Sequence, residues 1–412
     1  MLRLLGGLVI IPVFLCELAL LTNRPFSAWA IVNIALYPLI LIISIVLHEA
    51  GHAVVARAVG LQVPRVQIGI GRPVARRQWG QTMVVLNAFP LMGLTYLGAQ
   101  SLKGLKGRLW VSIAAGPAVT LAIIASTLAW REGLHVGDIA LPYAAVASRF
   151  SLRELVGFSN LWMLVLNLVP LPLFRSRGIQ RNDGGQLFKV PFLSVPQLEV
   201  YRVVTVLLDV QESSERDDHE GARRKLEAAL IRFPGSWTLL NAQAFLQIKL
   251  ELLIEARASL LNLLQAEPPY PEMRWAARNN LAWVDYRLRE DEFRDEADAH
   301  SEAVFRLYKN VPWAMGTRGA VLSWLGRDKE ALPLLKRAYS ANSELSMRAL
   351  NAAGLAIVLA NLGRTREAGQ WLDRARTNHA ICPLLVEARA AISAATSKKS
   401  PTSPNERHST EP

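Results

Sequence analysis

The sequence predicts an all-α chain in two parts: a polytopic membrane helix bundle with a small β-prone, membrane-associated segment, then an α-α superhelix of repeats. Three observations predict this. Hydrophobic residues make up 51% of the 412 residues, and they gather into long runs before residue 190. The net charge of +12 is uneven: residues 1–190 hold 17 Lys/Arg against 6 Asp/Glu, and residues 191–412 hold 29 against 28. Alanines recur at a spacing near 34 in the second half, at 222, 256, 297, 331 and 368. The excess of positive charge therefore lies among the apolar runs. The positive-inside rule explains it there, and a nucleic-acid surface is not expected. Cys16 and Cys382 are too few and too far apart for a disulfide framework or a metal set.

Four spans are expected. Leu4 to Leu21 follows Arg3 and lacks a small-x-small cleavage site after it, so it reads as a retained span. The second run, 28–58, contains Pro38 and is long enough to cross a bilayer. Its last third carries His48-Glu49-Ala50-Gly51-His52. Helical residues four apart share a face, so His48 and His52 can aim ring nitrogens at one metal. Zinc suits two imidazoles, an oxygen ligand and an open position. Glu49, one position off, is placed to act as a general base on water. The competing reading is a pair of histidines satisfied by hydrogen bonds inside a bundle, which leaves Glu49 without a role.

Val63 to Asn87 alternates short β-prone stretches with Gly, Pro and polar residues, which suggests a hairpin or meander. Phe89-Pro90-Leu91-Met92-Gly93 is too short to span and is expected as a re-entrant or interfacial loop. The third span is 109–130. Its Ala114-Ala115-Gly116-Pro117-Ala118 reads as a packing notch and should bend the helix. After a loop comes the fourth span, 155–174, with Pro170 and Pro172 at its end. Asp183-Gly184-Gly185 follows. Asp183 is the best candidate for a third metal ligand; the alternative is a plain Asp-Gly turn. Arg57 to Arg108 holds eight Lys/Arg and no acid, so that loop should be cytoplasmic. Four spans then put the metal site's end and everything after residue 174 on the same side.

These residues resemble the site-2 protease family of intramembrane zinc metalloproteases over roughly residues 30–190. The likeness rests on His48-Glu49-x-x-His52 in a span, on the β-prone stretch ending in Phe89-Pro90-Leu91-Met92-Gly93, on Ala115-Gly116-Pro117, and on Asn167-x-x-Pro170 followed by Asp183-Gly184-Gly185. The resemblance implies that His48, His52 and Asp183 bind Zn2+ and that Glu49 activates water. It implies that Asn167, Pro90 and Gly93 help hold a substrate backbone as an added strand, and that the substrates are membrane proteins cut within or beside the bilayer. It also implies regulated intramembrane proteolysis in a cell (inner) membrane. The chain departs from many relatives in two places. Leu173 to Asn182 separates the Asn-x-x-Pro motif from Asp183, and Thr120 stands where many members carry Asn.

Residues 191–214 are expected to connect the halves. Leu325-Gly326-Arg327-Asp328-Lys329-Glu330-Ala331 recurs as Leu362-Gly363-Arg364-Thr365-Arg366-Glu367-Ala368. Small residues seven apart within a period near 34 mean paired helices stacked in a superhelix. The Leu-Gly turn resembles that of a tetratricopeptide repeat. About five units are expected over 215–394, facing a protein or peptide partner, with a disordered tail over 395–412. His219, His300 and His379 read as isolated surface residues. The rival functional reading is a catalytically inactive, membrane-anchored repeat adaptor. A transporter is disfavoured by the lack of duplicated apolar segments.

Overall fold

The computed structural model describes residues 28–129, 152–169, 172–175, 178–342 and 344–397. The expected first span, 4–21, and nearly all of the tail lie outside them. The chain divides into two compact units, Met1–Asp209 and Val210–Pro412.

The first unit opens with α1, Ala28–Ala58, and α2, Leu105–Ala129. Leu36–Ala58 and Leu105–Ala129 are long and apolar enough to cross a membrane. The α2 helix runs unbroken through Gly116-Pro117. The expected fourth span is shorter than the sequence suggests. Helix α3, Leu152–Leu168, has 17 residues and stops just before Pro170, so 155–174 is not one span. Proline cannot donate its backbone bond and clashes with the preceding turn, which ends the helix there.

One further expectation is met in part and corrected in part. The expected hairpin is present and longer than the sequence suggests: β1, Gln62–Trp79, and β2, Thr82–Gly98, form one antiparallel pair. Phe89 to Gly93 is part of β2, paired with β1, and not a loop. Pro90 lies within a strand here because it falls at the bend and edge of the hairpin, where a missing N–H is tolerated. The hairpin folds across itself: Arg65–Ile68 pairs with Gly93–Tyr96 on one side and with Met83–Leu86 on the other. Gly93–Tyr96 is thereby left as an edge among the described strands.

Apolar packing fixes these parts around the lower half of α1. Ala53 and Ala56 meet Leu105, Leu109 and Ile113 of α2, together with Leu61 and Val63 of the hairpin and Val190, Leu193 and Leu198 beyond it. A second cluster of Ile45, Ile68 and Met163 joins α1, β1 and α3 one turn from His48. Ser44 and Asn160, both buried, share a 2.9 Å hydrogen bond between α1 and α3.

After α3, β3 (Pro172–Arg175) and β4 (Gly178–Arg181) form a small antiparallel hairpin. Its first and last residues, Pro172 and Arg181, are directly paired. The segment that separates Asn167 from Asp183 therefore returns to where it left. Helix α4, Asp183–Lys189, begins there, and α5, Val195–Glu215, occupies most of the expected connector.

The second unit is built of α6 (His219–Arg232), α7 (Trp237–Lys249), α8 (Leu253–Gln265), α9 (Pro271–Leu288), α10 (Arg294–Leu307), α11 (Pro312–Trp324), α12 (Asp328–Ala341), α13 (Leu345–Asn361), α14 (Thr365–Asn378) and α15 (Leu385–Ser397). The five marker alanines, 222, 256, 297, 331 and 368, are all fully buried. The last four each sit on the second helix of a pair (α7–α8, α9–α10, α11–α12 and α13–α14), where a larger side chain would separate that helix from its partner. The looser copy around Ala297 also carries charge. Asp285 is buried beside it and accepts a 2.8 Å hydrogen bond from the Arg257 guanidinium, which also pairs with Glu296 and lies 3.7 Å over the Phe293 ring.

Candidate metal centre

The site is assembled at the lower end of α1. His48, Glu49 and His52 are 3%, 5% and 6% exposed. Asp183, the first residue of α4, comes up against both histidines: its Oδ2 lies 2.9 Å from His48 Nε2 and 3.5 Å from His52 Nε2. The two Nε2 atoms are 3.2 Å apart. Four ligands at tetrahedral corners, about 2.0–2.2 Å from a zinc ion, would stand roughly 3.3–3.6 Å from one another. The three donor atoms are close to that spacing.

The far side of each ring decides which nitrogen faces the centre. His52 Nδ1 is 2.8 Å from the Ser112 carbonyl oxygen. That oxygen can only accept, so Nδ1 carries the proton. This contact outweighs the 3.3 Å approach of the Gly116 N–H. His48 Nδ1 is 2.8 Å from Thr120 Oγ1, and the Thr120 hydroxyl donates in turn to the Gly116 carbonyl at 3.3 Å. The hydroxyl therefore accepts from His48. In the neutral rings both Nε2 atoms then present lone pairs toward the Asp183 carboxylate. Three acceptors facing one another in a buried place form a set that a cation completes. The donor set fits zinc by chemistry as well as by spacing.

Glu49 stands apart from this triad yet within reach of it; His48, Glu49 and His52 all offer ligand atoms within 4.8 Å of one another. Its Oε2 accepts a 2.6 Å hydrogen bond from the Thr95 hydroxyl on β2. The strand thus holds the carboxylate to one side, while Asp183 takes the nearer position to both rings.

Close approach explains the small residues. A Cβ on Gly93 would collide with the Glu49 carboxyl, and one on Gly116 would collide with Nε2 of both His52 and His48. The Ala114–Ala118 notch is a packing notch as expected, but what it admits is the histidine pair. A Cβ on Gly184 would collide with the Leu168 carbonyl, so α4 starts against the end of α3. Asn182 fastens this junction. Its side chain donates to the carbonyls of Leu166, at 2.7 Å, and Val169, and accepts from the Gly185 N–H at 3.1 Å. These bonds, with the closed β3–β4 hairpin, bring Asp183 to the histidines despite its distance from Asn167 in sequence.

Asn167 is half-buried on the last turn of α3, and Pro90 is half-buried in β2. Thr95, Thr120 and Asn182 were not singled out from the sequence as site residues. Thr120 was noted only as a departure, yet its hydroxyl serves the purpose an amide oxygen would. Replacing it with Val should lower metal affinity about 10–100-fold, since second-layer partners of histidine ligands carry effects of that size. Ser or Asn at 120 should preserve affinity. Competition with a zinc-chelating dye measures this directly.

A helix-borne His-Glu-x-x-His with a nearby carboxylate is a pattern that metallopeptidases use to hold zinc. Residues 36–136, within the first unit, match the family model described as Peptidase family M50. The second unit is similar to tetratricopeptide proteins of known structure. One is a thermophilic TPR protein of Thermus thermophilus, 21% identical over 46% of this chain and 97% of that one, with a TM-score of 0.36. Another is a tetratricopeptide repeat protein of Parabacteroides merdae, 17% identical over 47% of this chain and 73% of that one, with a TM-score of 0.32.

Proposed function

We propose that the chain is an intramembrane zinc metallopeptidase of the site-2 protease type. It hydrolyses peptide bonds in or near membrane-spanning segments of other proteins, and its repeats recruit a partner or substrate from the cytoplasmic side. The observation that carries this reading is the meeting of His48, His52 and Asp183, within 3.5 Å of one another, beside a separately held Glu49. Zinc, when bound by these three residues, would polarise the scissile carbonyl and make water a better nucleophile.

The protein's own groups do the rest. Glu49 takes a proton from the attacking water and passes it to the leaving amine. Thr95 keeps one carboxylate oxygen turned toward β2, which leaves the other for that transfer. The edge at Gly93–Tyr96 runs past Glu49 and offers backbone N–H and C=O groups to an extended substrate. A helical substrate presents no accessible peptide bond, so it must unwind, and pairing along an edge satisfies its freed backbone. Pro90 and Asn167 flank that path. The excess of basic residues between 57 and 108 sets the metal-bearing end of α1 toward the cytoplasm. The apolar run at 4–21 would add a further span and make the domain multi-pass. The adaptor alternative rested on the spacing before Asp183, which the closed β3–β4 hairpin accounts for.

The test is cleavage of single-span substrates co-reconstituted in liposomes, with products mapped by mass. Cuts within or beside the span that stop on zinc chelation and return with added zinc are expected. Cleavage that persists through chelation would overturn the reading.

A further inference from the structure

In a stack of helix pairs each unit touches only its neighbours. One contact in the second unit breaks that rule. Glu387, on the last helix α15, meets the end of α9, 98 residues earlier: its carboxylate lies 3.3 Å from Arg289 Nη2 and 3.8 Å from Arg287 Nε. Just before it, Cys382 and Leu384 are buried in the same apolar cluster as Ala282 and Tyr286 of α9, Val321 of α11 and Ala353 of α13. Residues 382–387 thus form a strap across the first helices of three successive pairs.

The corner that receives Glu387 has the features of a built site. Arg287 is 9% exposed, and its Nη2 pairs with Glu251 at 2.7 Å. The Arg289 guanidinium lies 4.2 Å over the Tyr286 ring and 6.0 Å from that of Trp324. Aromatic faces hold a guanidinium in one orientation and leave its N–H edge for an anion. With Glu387 removed, Arg287 and Arg289 against Glu251 leave one net positive charge.

The backbone of the corner is unusual as well. Each turn between paired helices needs one residue in the left-handed region. In two of them it is glycine, Gly326 and Gly363, which suits that conformation. The equivalent place in the turn before α8 is Glu251 (φ 60°), and in the turn before α6 it is Asp217 (φ 59°), which lies outside this corner; Arg289 (φ 61°) is the residue that ends α9. Glu251 and Arg289 thus carry side chains where glycine is the easier choice, and both side chains are used in the corner. The strap does not use the corner fully. The buried Nε of Arg287 has no hydrogen-bond partner, and Glu387 stays beyond hydrogen-bond distance of it. One side of the strap is open: Val386 and the preceding Ile381 are 79% and 84% exposed, while Cys382 and Leu384 are buried.

We propose that the Arg287–Arg289 corner is a carboxylate-binding site for an acidic, leucine-bearing segment of a partner protein, and that residues 382–387 occupy it in cis until such a segment displaces them. The apolar wall takes the leucine, as it now takes Leu384. The arginine pair takes a carboxylate three residues further on, and a segment that closes on Arg287 Nε would outcompete the strap.

The thiol of Cys382, 5% exposed, reports release. The experiment uses the full chain in detergent with Cys16→Ser, and follows maleimide labelling of Cys382 beside thermal melting. Glu387→Gln should speed labelling about fivefold at an unchanged Tm. A synthetic peptide of residues 380–391, with Ser at 382, should bind the Glu387→Gln protein at least fivefold more tightly than the unsubstituted one. The same peptide with Lys in place of Glu387 should not bind. If Glu387→Gln lowers Tm, Arg289→Gln carries the same labelling expectation with the strap sequence intact. Equal labelling rates in all proteins, labelling only on global unfolding, or equal binding of the charge-reversed peptide would each overturn the proposal. None of these readouts depends on zinc or on cleavage.

Discussion

Glu49→Gln should abolish cleavage while the protein keeps its fold and its zinc. The amide keeps the size of the side chain and can still accept from the Thr95 hydroxyl, which now lies 2.6 Å from Oε2. What it loses is the ability to take a proton. General-base catalysis is worth about 10²–10⁴-fold in rate, so turnover should fall by at least that range. Zinc content should stay near the unsubstituted value, because His48, His52 and Asp183 form the donor triad without Glu49. Thr95→Val gives the milder counterpart. It frees the carboxylate to swing, so kcat should fall while zinc is unchanged. Equal loss of zinc and activity in Glu49→Gln would mean that Glu49 is a ligand and that the triad assignment is wrong.

Gly116→Val should empty the metal centre without unfolding the bundle. A Cβ at 116 would fall on Nε2 of both histidines, the atoms that must face the metal. Valine adds two methyl groups at that point, and α1 and α2 cannot separate to admit them. The helices are already close there, since a Cβ on Gly51 of the opposite helix would collide with the Ala115 carbonyl and Val119. Overpacking of this kind costs about 1–3 kcal/mol where the surroundings can shift. Here the cheapest relief is rotation of the imidazoles away from the Ser112 carbonyl and the Thr120 hydroxyl. Zinc bound per chain should fall below about a tenth of the unsubstituted value, because histidine ligation depends on that orientation. Circular dichroism and elution volume should hardly change. Gly116→Ala is expected to lie between the two.

The parts of this architecture that depend on periodicity were legible in the sequence. His48 and His52 are four apart on one helix, and any reader of helical geometry can place them together. The marker alanines of the repeats were legible for the same reason. What the sequence hid were contacts that depend on closure. Asp183 lies far from Asn167 along the chain, and only the pairing of Pro172 with Arg181 shows that the intervening residues form a closed hairpin. Thr95 and Thr120 hydroxyls carry no pattern of their own; their roles come from being brought beside Glu49 and His48 by a strand and a second helix. Phe89–Gly93 was misjudged because Pro90 and Gly93 are loop signals in isolation. In the folded hairpin one lies at a bend and the other leaves room for the Glu49 carboxyl. The reach of Glu387 to α9 was invisible because repeat logic forbids it.

The central claim is that three side chains from separate segments, α1 and the start of α4, bind one zinc ion. The most direct measurement is zinc per chain in detergent-purified protein, compared with Asp183→Ala and with the double substitution His48→Ala/His52→Ala. About one zinc per chain, lost in both variants while helical content is retained, is the expected result. Zinc retained at full stoichiometry and affinity in Asp183→Ala would contradict it.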